Sequence, residues 1–273
     1  MKKVALVTYA ECPQLTDDDR LLIPALARLG VEAIPCIWDA AIEWRQFDRL
    51  VIRSTWDYHL RPSEFLAWVE TVHDKLSNSA TLIRWNLCKS YLKQLADANI
   101  RVAATIWVDE GQEVDVHAIM AANGWSSAIV KPPVSASAHG LRRVFASEPR
   151  LRLAGPLMIQ PFLSEVVTHG EWSLIFFAGE FSHAVIKTSS AGEFRVQWQY
   201  GGSAKLTQPA AAIIHSAGKV LEQLPEVALY ARVDGVEQNG EFVLMELELI
   251  EPELFLRLGG AADRFAAAIS GSL

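Results

Sequence analysis

The chain has little cysteine and no long apolar run, and both scarcities limit its class. Its three cysteines are Cys12, Cys36 and Cys88. They are odd in number, widely spaced and in no metal-ligand pattern, which predicts reduced thiols in a cytoplasmic protein. No apolar stretch reaches the roughly 18 residues of a membrane span, and the N-terminus runs directly into a short apolar segment. We therefore expect a protein that is neither secreted nor embedded in a membrane.

Positive charge is also scarce. The 25 lysines and arginines are outnumbered by 32 aspartates and glutamates, which gives a formal net charge of -7. A general polyanion binder needs the opposite balance, so nucleic acid is not an expected partner, although a local basic pocket stays open. With 51% hydrophobic and 21% charged residues, the composition is that of a globular protein.

Strand and helix patterns alternate along the chain, which favours a mixed α/β architecture. Strands are predicted at 4–8 and 50–52, with a helix between them that ends near Leu29. The second strand leads into a polar segment, and loops after strands carry binding sites in α/β proteins. A small anionic molecule can dock at its polar side chains, which are Arg53, Ser54, Asp57 and Arg61.

Two lysines in the middle of the chain stand at positions suited to phosphate. Lys89 lies in a helix predicted to begin at Asn86, and Lys131 ends a strand predicted over 128–131. The following loop, 132–140, is rich in small and hydroxyl residues, which let backbone N–H groups approach phosphate oxygens. Most such loops bind nothing, so the loop alone leaves open whether it is a site or an ordinary turn.

Further along, 157–163 is predicted to be an extended connector between lobes. A hairpin is predicted from strands at 171–177 and 181–187, because a turn containing Gly179 joins them. The next segment, from Lys187 to Gly202, mixes cationic, flexible and bulky residues, which favours a mobile lid. A helix is expected over 210–224.

Three carboxylates interrupt apolar runs near the end of the chain. Asp234 closes one run, and Glu246 and Glu248 interrupt the next. Strand side chains alternate between faces, so Glu246 and Glu248 point the same way. Unpaired acids on such a face are costly, and oxygen-only ligands are those that Mg²⁺ prefers. A solvated face, or pairing with Arg232 or Arg257, explains the same acids equally well.

Taken in order, these features resemble the ATP-grasp superfamily, in its glutathione synthetase and ribosomal-protein glutamate ligase branch. The likeness spans roughly 86–260, and the preceding segment resembles the substrate-side domain of those enzymes. The resemblance implies an α/β (α+β) ATP-grasp fold in which two α+β lobes grip ATP. Its domains would be an N-terminal pre-ATP-grasp domain over 1–85, a small lobe over 86–160, and a large lobe with the metal site over 161–273.

The resemblance also implies roles for individual residues. Two of these residues, Lys187 and Arg195, would reach the transferring phosphoryl group, whose spreading charge fixed cations stabilise. Glu248 stands where the family commonly has asparagine, and His139 stands in a loop position that is usually glycine or serine. The other implied ligands are Lys89, Lys131, Ser135 and Ser137 for the phosphates of ATP, Gln160, Pro161, Phe162 and Leu163 for adenine, Glu165 for ribose, and Asp234, Glu246 and Glu248 for Mg²⁺.

The segments 53–62, 82–86 and 251–257 look like a subgroup of small ATP-grasp proteins that includes the cycloserine-forming ligase of antibiotic biosynthesis. An enzyme of this kind activates a small amino-acid carboxylate as an acyl phosphate, which an amine of the same molecule attacks. For such a substrate, an arginine would anchor the carboxylate and an acid would face the amino group. The candidates are Arg53 and Arg257 for the carboxylate, and Asp57 and Glu251 for the amino group.

Two alternatives stay open. The amine can belong to a second substrate, as in an intermolecular peptide-bond-forming ligase. The chain can also be a nucleotide-binding regulatory protein without turnover, although the phosphoryl-transfer cations argue against it. A homodimer is an expectation from the family resemblance alone.

Overall fold

The computed structural model describes residues 1–190, 192–196 and 198–273, and at Trp198 only the backbone. Its strands form a parallel three-stranded sheet, antiparallel sheets of four and five strands, and a separate two-stranded ladder. This combination of sheets and helices confirms the α/β (α+β) class predicted from the sequence. Among the described helices, none has both the length and the apolar character that a bilayer span requires.

The first part of the chain builds the parallel sheet. Its elements are β1 (Lys2–Thr8), α1 (Asp17–Arg20), α2 (Leu22–Arg28), β2 (Val31–Ile37), β3 (Arg49–Ser54) and α3 (Pro62–Thr71). The strand order is β2-β1-β3. Val4 and Leu6 of β1 pack in one hydrophobic core, whereas Ala5 and Val7 pack in another. Because alternate side chains enter different cores, β1 is buried on both faces, as is usual in parallel sheets.

Two short helices follow, α4 (Ala80–Leu87) and α5 (Tyr91–Asp97). The sequence predicted one helix that begins at Asn86 and contains Lys89, and this prediction was wrong. Asn86 lies inside α4, and Lys89 lies in the break between α4 and α5. The Asn86 amide does not cap a helix, because it donates to the backbone carbonyl of Leu247 at 2.8 Å.

The middle of the chain forms the four-stranded sheet. Its elements are β4 (Ile106–Val108), β5 (Glu113–Asp115), α6 (Val116–Asn123), β6 (Ser127–Lys131), β7 (Arg142–Phe145), β8 (Arg152–Ala154) and β9 (Leu157–Pro161). The sheet order is β4-β9-β6-β7, and β5 pairs with β8. Lys131 ends β6, as predicted. The expected connector at 157–163 begins as β9, which is hydrogen-bonded between β4 and β6.

The last part forms the five-stranded sheet, in the order β12-β11-β10-β13-β14 once its elements are numbered. They are α7 (Glu165–Thr168), β10 (Glu171–Phe177), β11 (Glu180–Thr188), β12 (Ser203–Leu206), α8 (Ala211–Leu221), β13 (Tyr230–Gln238), β14 (Glu241–Glu248) and α9 (Ala261–Gly271). The predicted β10–β11 hairpin and the predicted helix α8 are confirmed. Single 3-10 turns lie at Trp44–Gln46, Tyr58–Leu60 and Trp198–Tyr200.

Hydrophobic packing connects the three sheet regions. The α9 residue Phe265 stacks on Phe177 of β10, with ring centroids 4.7 Å apart, and the same core contains Leu6 of β1. Leu92 of α5 packs with Leu174 of β10 in a further core. The C-terminal helix therefore joins the parallel sheet to the five-stranded sheet. The proposed domain boundaries at 85/86 and 160/161 stay a prediction.

A bulge in the β13–β14 pair requires glycine at position 235. The register shifts between Asp234 and Gly235, and a Cβ added at Gly235 would lie 2.3 Å from the carbonyl oxygen of Val243 and 2.6 Å from the Phe242 ring. Neither neighbour can move without disturbing the strand pair. The backbone conformation next to Asp234 therefore requires that position 235 carry no side chain.

We expect Gly235→Ala to lower the free energy of unfolding by about 1–3 kcal/mol, the usual cost of overpacking a tightly filled site. Urea denaturation measures this change. The matched control is Gly218→Ala in α8, where an added Cβ meets nothing within 4 Å and a helical alanine is favoured. Equal stability of the Gly235→Ala variant and the wild type would contradict the assignment of the bulge.

Candidate active site

A cavity of about 310 Å³ is lined by residues from all three sheet regions. We call four of the lining residues the floor of the cavity: Arg232 and Asp234 of β13, and Glu246 and Glu248 of β14. The loop after Lys131 forms one wall, and the segment that carries Trp56 and Tyr58 forms another. The structure gathers here these sequence-predicted residues: Lys89, Lys131, Ser135, Ser137, Lys187, Asp234, Glu246, Glu248 and Arg257.

The floor acids are neutralised within the sheet. In the antiparallel register, Asp234 lies opposite Glu246, and Arg232 lies opposite Glu248. The Nε atom of Arg232 donates to both carboxylate oxygens of Asp234, at 3.1 and 3.0 Å. A terminal nitrogen of Arg232 also pairs with Glu248. Of the explanations that the sequence left open, pairing with Arg232 is thus realised.

Lys89 connects the floor to the loop of small residues. Its Nζ lies 3.0 Å from Oε1 of Glu246 and donates to the backbone carbonyl of Ser135 at 2.7 Å. Burial raises the pKa of Glu246, but the charges of Lys89 and Lys131 outweigh that effect, so its pKa is lowered. Glu246 is therefore ionised in the folded protein.

Lys131 differs from Lys89 because its ammonium group makes no hydrogen bond or ion pair with any residue that the structure describes. Its side chain lines the cavity, and the residue is only 8% exposed. Burial lowers the pKa of Lys131, since the charged form loses its hydration. A buried ammonium without a partner is costly, and an anionic ligand at Nζ would remove that cost.

Lys187 is held by a strand. It lies in β11 directly opposite Glu171 of β10, so the predicted lid begins after this residue. Its Nζ lies 2.5 Å from a Glu171 oxygen and 3.4 Å from an Asp234 oxygen. The Ser173 hydroxyl also donates to Asp234. These contacts give the Lys187 ammonium a fixed position beside the floor.

Three acids at the cavity have raised pKa values, namely Glu171, Glu248 and Glu251. Loss of hydration on burial raises the pKa of Glu248 to about 7 and that of Glu251 to about 8. Glu251 lies just beyond β14 and is 7% exposed. Within the described part of the chain its carboxylate has no hydrogen-bond or ion-pair partner. Without a cation in contact, such a carboxyl group favours its neutral form.

Three residues that the sequence assigned to the substrate lie away from the cavity. Arg53 is buried with its Nε 2.9 Å from Asp19, and one terminal nitrogen donates to the Pro252 carbonyl at 2.6 Å. Because its donors are used inside the protein, Arg53 has a structural role instead of the predicted contact. Ser54 and Asp57 are also absent from the lining. Their side-chain partners are Thr8 for Ser54, and Trp38 and Arg61 for Asp57.

Two residues predicted to bind the substrate, Glu251 and Arg257, line the cavity. Arg257 is exposed, and one terminal nitrogen lies 3.0 Å from Asp18 and 2.8 Å from Glu253. The Arg257 guanidinium also lies over the Phe255 ring, 5.5 Å from its centroid. A planar group held in this way keeps further N–H donors for a carboxylate.

Arg195, predicted to be catalytic, lies outside the cavity lining. Its guanidinium pairs with Glu193 at 2.6 Å and lies 3.6 Å from the centroid of the Tyr200 ring. The structure therefore does not bring Arg195 together with Lys187. Two positions of the predicted lid lie outside the described residues, namely Ala191 and Gln197.

Most residues predicted to contact adenine and ribose line a second cavity, of about 360 Å³. Gln160 of β9 is buried and donates to the Thr105 hydroxyl at 2.8 Å. The Glu165 carboxylate accepts from the Gln238 amide at 3.1 Å. Neither Gln160 nor Glu165 lines the cavity that contains the acidic floor. The predicted residues that line this second cavity are Pro161, Phe162, Leu163 and Glu165.

Sequence reasoning missed Glu171, Arg232 and Tyr58 as site residues. A signal existed for two of them. Counting outward from the predicted hairpin turn brings Glu171 opposite Lys187, and a spacing of two residues in a strand puts Arg232 on the same face as Asp234. Tyr58 gave no such signal, because its segment reaches the cavity only through tertiary packing.

The residue types of the floor suit a metal ion, but their present arrangement does not form a coordination site. Its carboxylates are the oxygen donors that a hard cation prefers. In the described part of the chain, however, no group of three or more acidic, histidine or cysteine side chains is arranged to hold an ion. Each floor acid instead contacts Arg232 or Lys89. A divalent ion would have to replace these cations as the partner of the carboxylates.

The chain is similar in sequence and in structure to known proteins. The family model of the D-cycloserine synthetase DcsG N-terminal domain matches residues 4–78. The cycloserine biosynthesis protein DcsG of Streptomyces lavendulae is 32% identical over 297 aligned residues, which cover 99% of this chain and 98% of that protein. The crystal structure of D-cycloserine synthetase DcsG has a TM-score of 0.85, with 28% identity and 99% of both chains covered.

A more distant structure shares the fold. D-alanine–D-alanine ligase from Bacillus anthracis, complexed with ATP, has a TM-score of 0.67 at 12% identity, over 98% of this chain and 96% of that one. The shared fold defines the class of this protein, which is an ATP-grasp protein. The chain belongs to the ATP-grasp ligase family that includes the cycloserine synthetase DcsG. This homology supports an ATP-dependent carboxylate–amine ligase, as the sequence predicted.

The raised pKa of Glu251 gives a pH-dependent stability. The folded protein retains the Glu251 proton up to pH about 8, whereas the unfolded chain releases it near the ordinary value of 4.5. The stabilisation by this proton is complete below pH 4.5 and is lost as the pH rises through 8. We expect Glu251→Gln to have a melting temperature that exceeds that of the wild type increasingly between pH 5 and pH 8, without ligands.

Scanning calorimetry at several pH values measures this difference. The control is Glu253→Gln, which removes a neighbouring acid that is already paired with Arg257. A difference for Glu251→Gln that stays constant across the pH range would contradict a buried, protonated carboxyl group at this position.

Proposed function

We propose that this protein uses ATP to phosphorylate the carboxylate of a small amino acid, and that an amine then attacks the acyl phosphate. In the first step a carboxylate oxygen attacks the terminal phosphorus of ATP, and ADP leaves. In the second step the amine nitrogen bonds to the acyl carbon, inorganic phosphate leaves and the nitrogen loses a proton. The observation that carries this proposal is the buried ammonium of Lys131, which lines the same cavity as the acidic floor and has no partner among the described residues.

Lys89 and Lys131 would hold the phosphates of ATP, together with Ser135 and Ser137 of the small-residue loop. Lys131 could bind a phosphate without breaking an existing contact, because no described residue pairs with its ammonium group. Lys89 already contacts the loop and the floor, so it can bridge a phosphate to both. Charge-assisted hydrogen bonds of this kind are among the strongest that a protein can offer to phosphate.

Asp234, Glu246 and Glu248 would hold Mg²⁺. When bound, the ion would neutralise charge on the phosphate oxygens and orient them. Glu248 adds a negative charge where the related enzymes commonly have an amide, which favours tighter cation binding. The raised pKa of Glu248 gives this acid a proton to release when a cation arrives.

The cations beside the floor would stabilise the transferring phosphoryl group. Lys187 and Arg232 are fixed by ion pairs with the acids, so their positions are set before substrate binds. Arg195 would join them only after leaving Glu193. Gln160, Pro161, Phe162 and Leu163 would contact adenine, and Glu165 would contact ribose.

The amine is proposed to belong to the same molecule as the carboxylate, so that the product is a ring. The support is the likeness to the cycloserine biosynthesis protein DcsG. Arg257 would anchor the substrate from the edge of the cavity. The second candidate, ligation of two separate substrates, has the support of the shared fold with D-alanine–D-alanine ligase.

Release of ADP separates these two candidates. With ATP and Mg²⁺, a panel of amino acids carrying a second amino or aminooxy group is supplied first alone and then with a separate amine. Ring closure predicts ADP formation with a single compound at a rate that the added amine leaves unchanged. A strict requirement for two compounds would reject cyclisation and favour intermolecular ligation. A protein that binds ATP but forms no ADP with any of them would be a regulatory nucleotide-binding protein.

For the phosphate site, we expect Lys131→Met to weaken ATP binding by about tenfold or more, since it removes a charge-assisted contact worth about 1.5–3 kcal/mol. Calorimetric titration with ATP and Mg²⁺ measures the affinity. Folding should be retained, because the change removes a buried charge that has no partner in the described chain. The matched control is Lys219→Met on the exposed face of α8. Equal affinity of the Lys131→Met variant and the wild type would sink the assignment.

A further inference from the structure

Glu251 is the one acid of the cavity lining that has no cationic partner among the described residues. Each of the other lining acids has a cationic partner. The pairs are Glu171 with Lys187, Asp234 and Glu248 with Arg232, Glu246 with Lys89, and Glu253 with Arg257. Glu251 lines the same cavity and is only 7% exposed. Its carboxylate nevertheless makes no hydrogen bond or ion pair in the described part of the chain.

The backbone around Glu251 is fixed by the N-terminal sheet region. The Trp56 indole nitrogen donates to the backbone carbonyl of Glu251 at 3.2 Å. Arg53 donates to the next carbonyl, that of Pro252, at 2.6 Å. Both donors come from the end of β3 or the turn after it. The carboxylate is therefore held at the cavity by packed structure, and a site built in this way is preorganised for a ligand.

Among the described residues, no cation contacts the Glu251 carboxyl group. Tyr58 lines the same cavity and is buried, and its hydroxyl has no hydrogen-bond partner among these residues. Burial, and next the negative charge of Glu251, raise the pKa of the Tyr58 phenol. A buried carboxyl group without a partner either keeps its proton or, as the anion, costs several kcal/mol, and such groups persist at sites where a ligand supplies the missing charge.

The chemistry of the missing partner follows from the charges present. The phosphates of ATP are anionic and are served by Lys89 and Lys131. A group that complements Glu251 must be cationic and must donate hydrogen bonds. An ammonium group meets both requirements, and a tyrosine hydroxyl beside the carboxylate can accept a second N–H bond.

We propose that Glu251 binds the amino group of the substrate, with Tyr58 beside it, and so selects amino acids over carboxylic acids that lack an amino group. This inference rests on the proposed function. It chooses Glu251 over Asp57, the other acid that the sequence offered for this role. Asp57 accepts from Trp38 and pairs with Arg61, and it does not line the cavity.

The experiment measures ligand binding without turnover. Melting temperatures of the full chain are recorded with ADP and Mg²⁺ and a panel of probes at millimolar concentration. The amino probes are D-serine, L-serine, D-alanine and 2,3-diaminopropionate, and the matched compounds without an amino group are lactate, glycerate and propionate. We expect the wild type to be stabilised by one or more amino probes and by none of the matched acids.

Two variants locate the effect. Glu251→Gln keeps the shape of the side chain and should raise the dissociation constant of the active amino probe by about tenfold or more, the expected loss for a hydrogen bond to a charged group. Glu251→Asp retains the charge and should keep the preference for amino compounds at reduced affinity. Glu180→Gln, at an exposed position outside the cavity lining, should bind the probe as the wild type does, and ADP with Mg²⁺ should stabilise all variants equally.

Three results would overturn the proposal. The first is a wild type that responds to no amino probe, and the second is a Glu251→Gln variant that binds the active probe as tightly as the wild type. The third is a selective loss of the Mg²⁺ response in Glu251→Gln, which would make Glu251 a metal ligand. ADP formation from ATP is scored separately. Intact amine selectivity without any ADP formation would count against the ligase reaction and not against this role of Glu251.

Discussion

The register between β13 and β14 is the constraint on which the site depends. It sets Asp234 opposite Glu246 and Arg232 opposite Glu248, on the face that forms the floor of the cavity. Burial of several acids on one face would be unfavourable without cations, and Arg232 supplies one from the same face. Lys89 and Lys187 arrive from other elements and complete the compensation. The bulge at Gly235 keeps this pairing in place while the strands continue beyond it.

Much of the fold was predictable from local patterns. The β10–β11 hairpin followed from its turn, helix α8 from its apolar period, and the first strands from short buried runs. The break between α4 and α5 was not, because Asn86 behaves as a cap in sequence and is used instead to bond the backbone of Leu247. Which element receives a polar side chain is decided by tertiary contact, and no pattern within a helix reports it.

The candidate site divides in the same way. The alternation of side chains along a strand predicted that the acids of the floor share one face. The end of a predicted strand pointed to Lys131. The same reasoning assigned Arg53 to a ligand, because it could not reveal that Asp19 and the Pro252 carbonyl take up its donors. A buried arginine after a strand looks the same in sequence whether it faces a cavity or a core. The resemblance to ATP-grasp enzymes assigned roles to these residues but could not decide that question.

Lys89 is shared between the floor and the small-residue loop, since it contacts Glu246 and the Ser135 carbonyl together. An incoming polyphosphate would compete with these partners for the ammonium group of Lys89. At this residue nucleotide binding would be an exchange, in which a new ionic contact replaces an existing one, so Lys89 would contribute less binding enthalpy than its final contacts imply. The same exchange would loosen the contact between the small-residue loop and the floor.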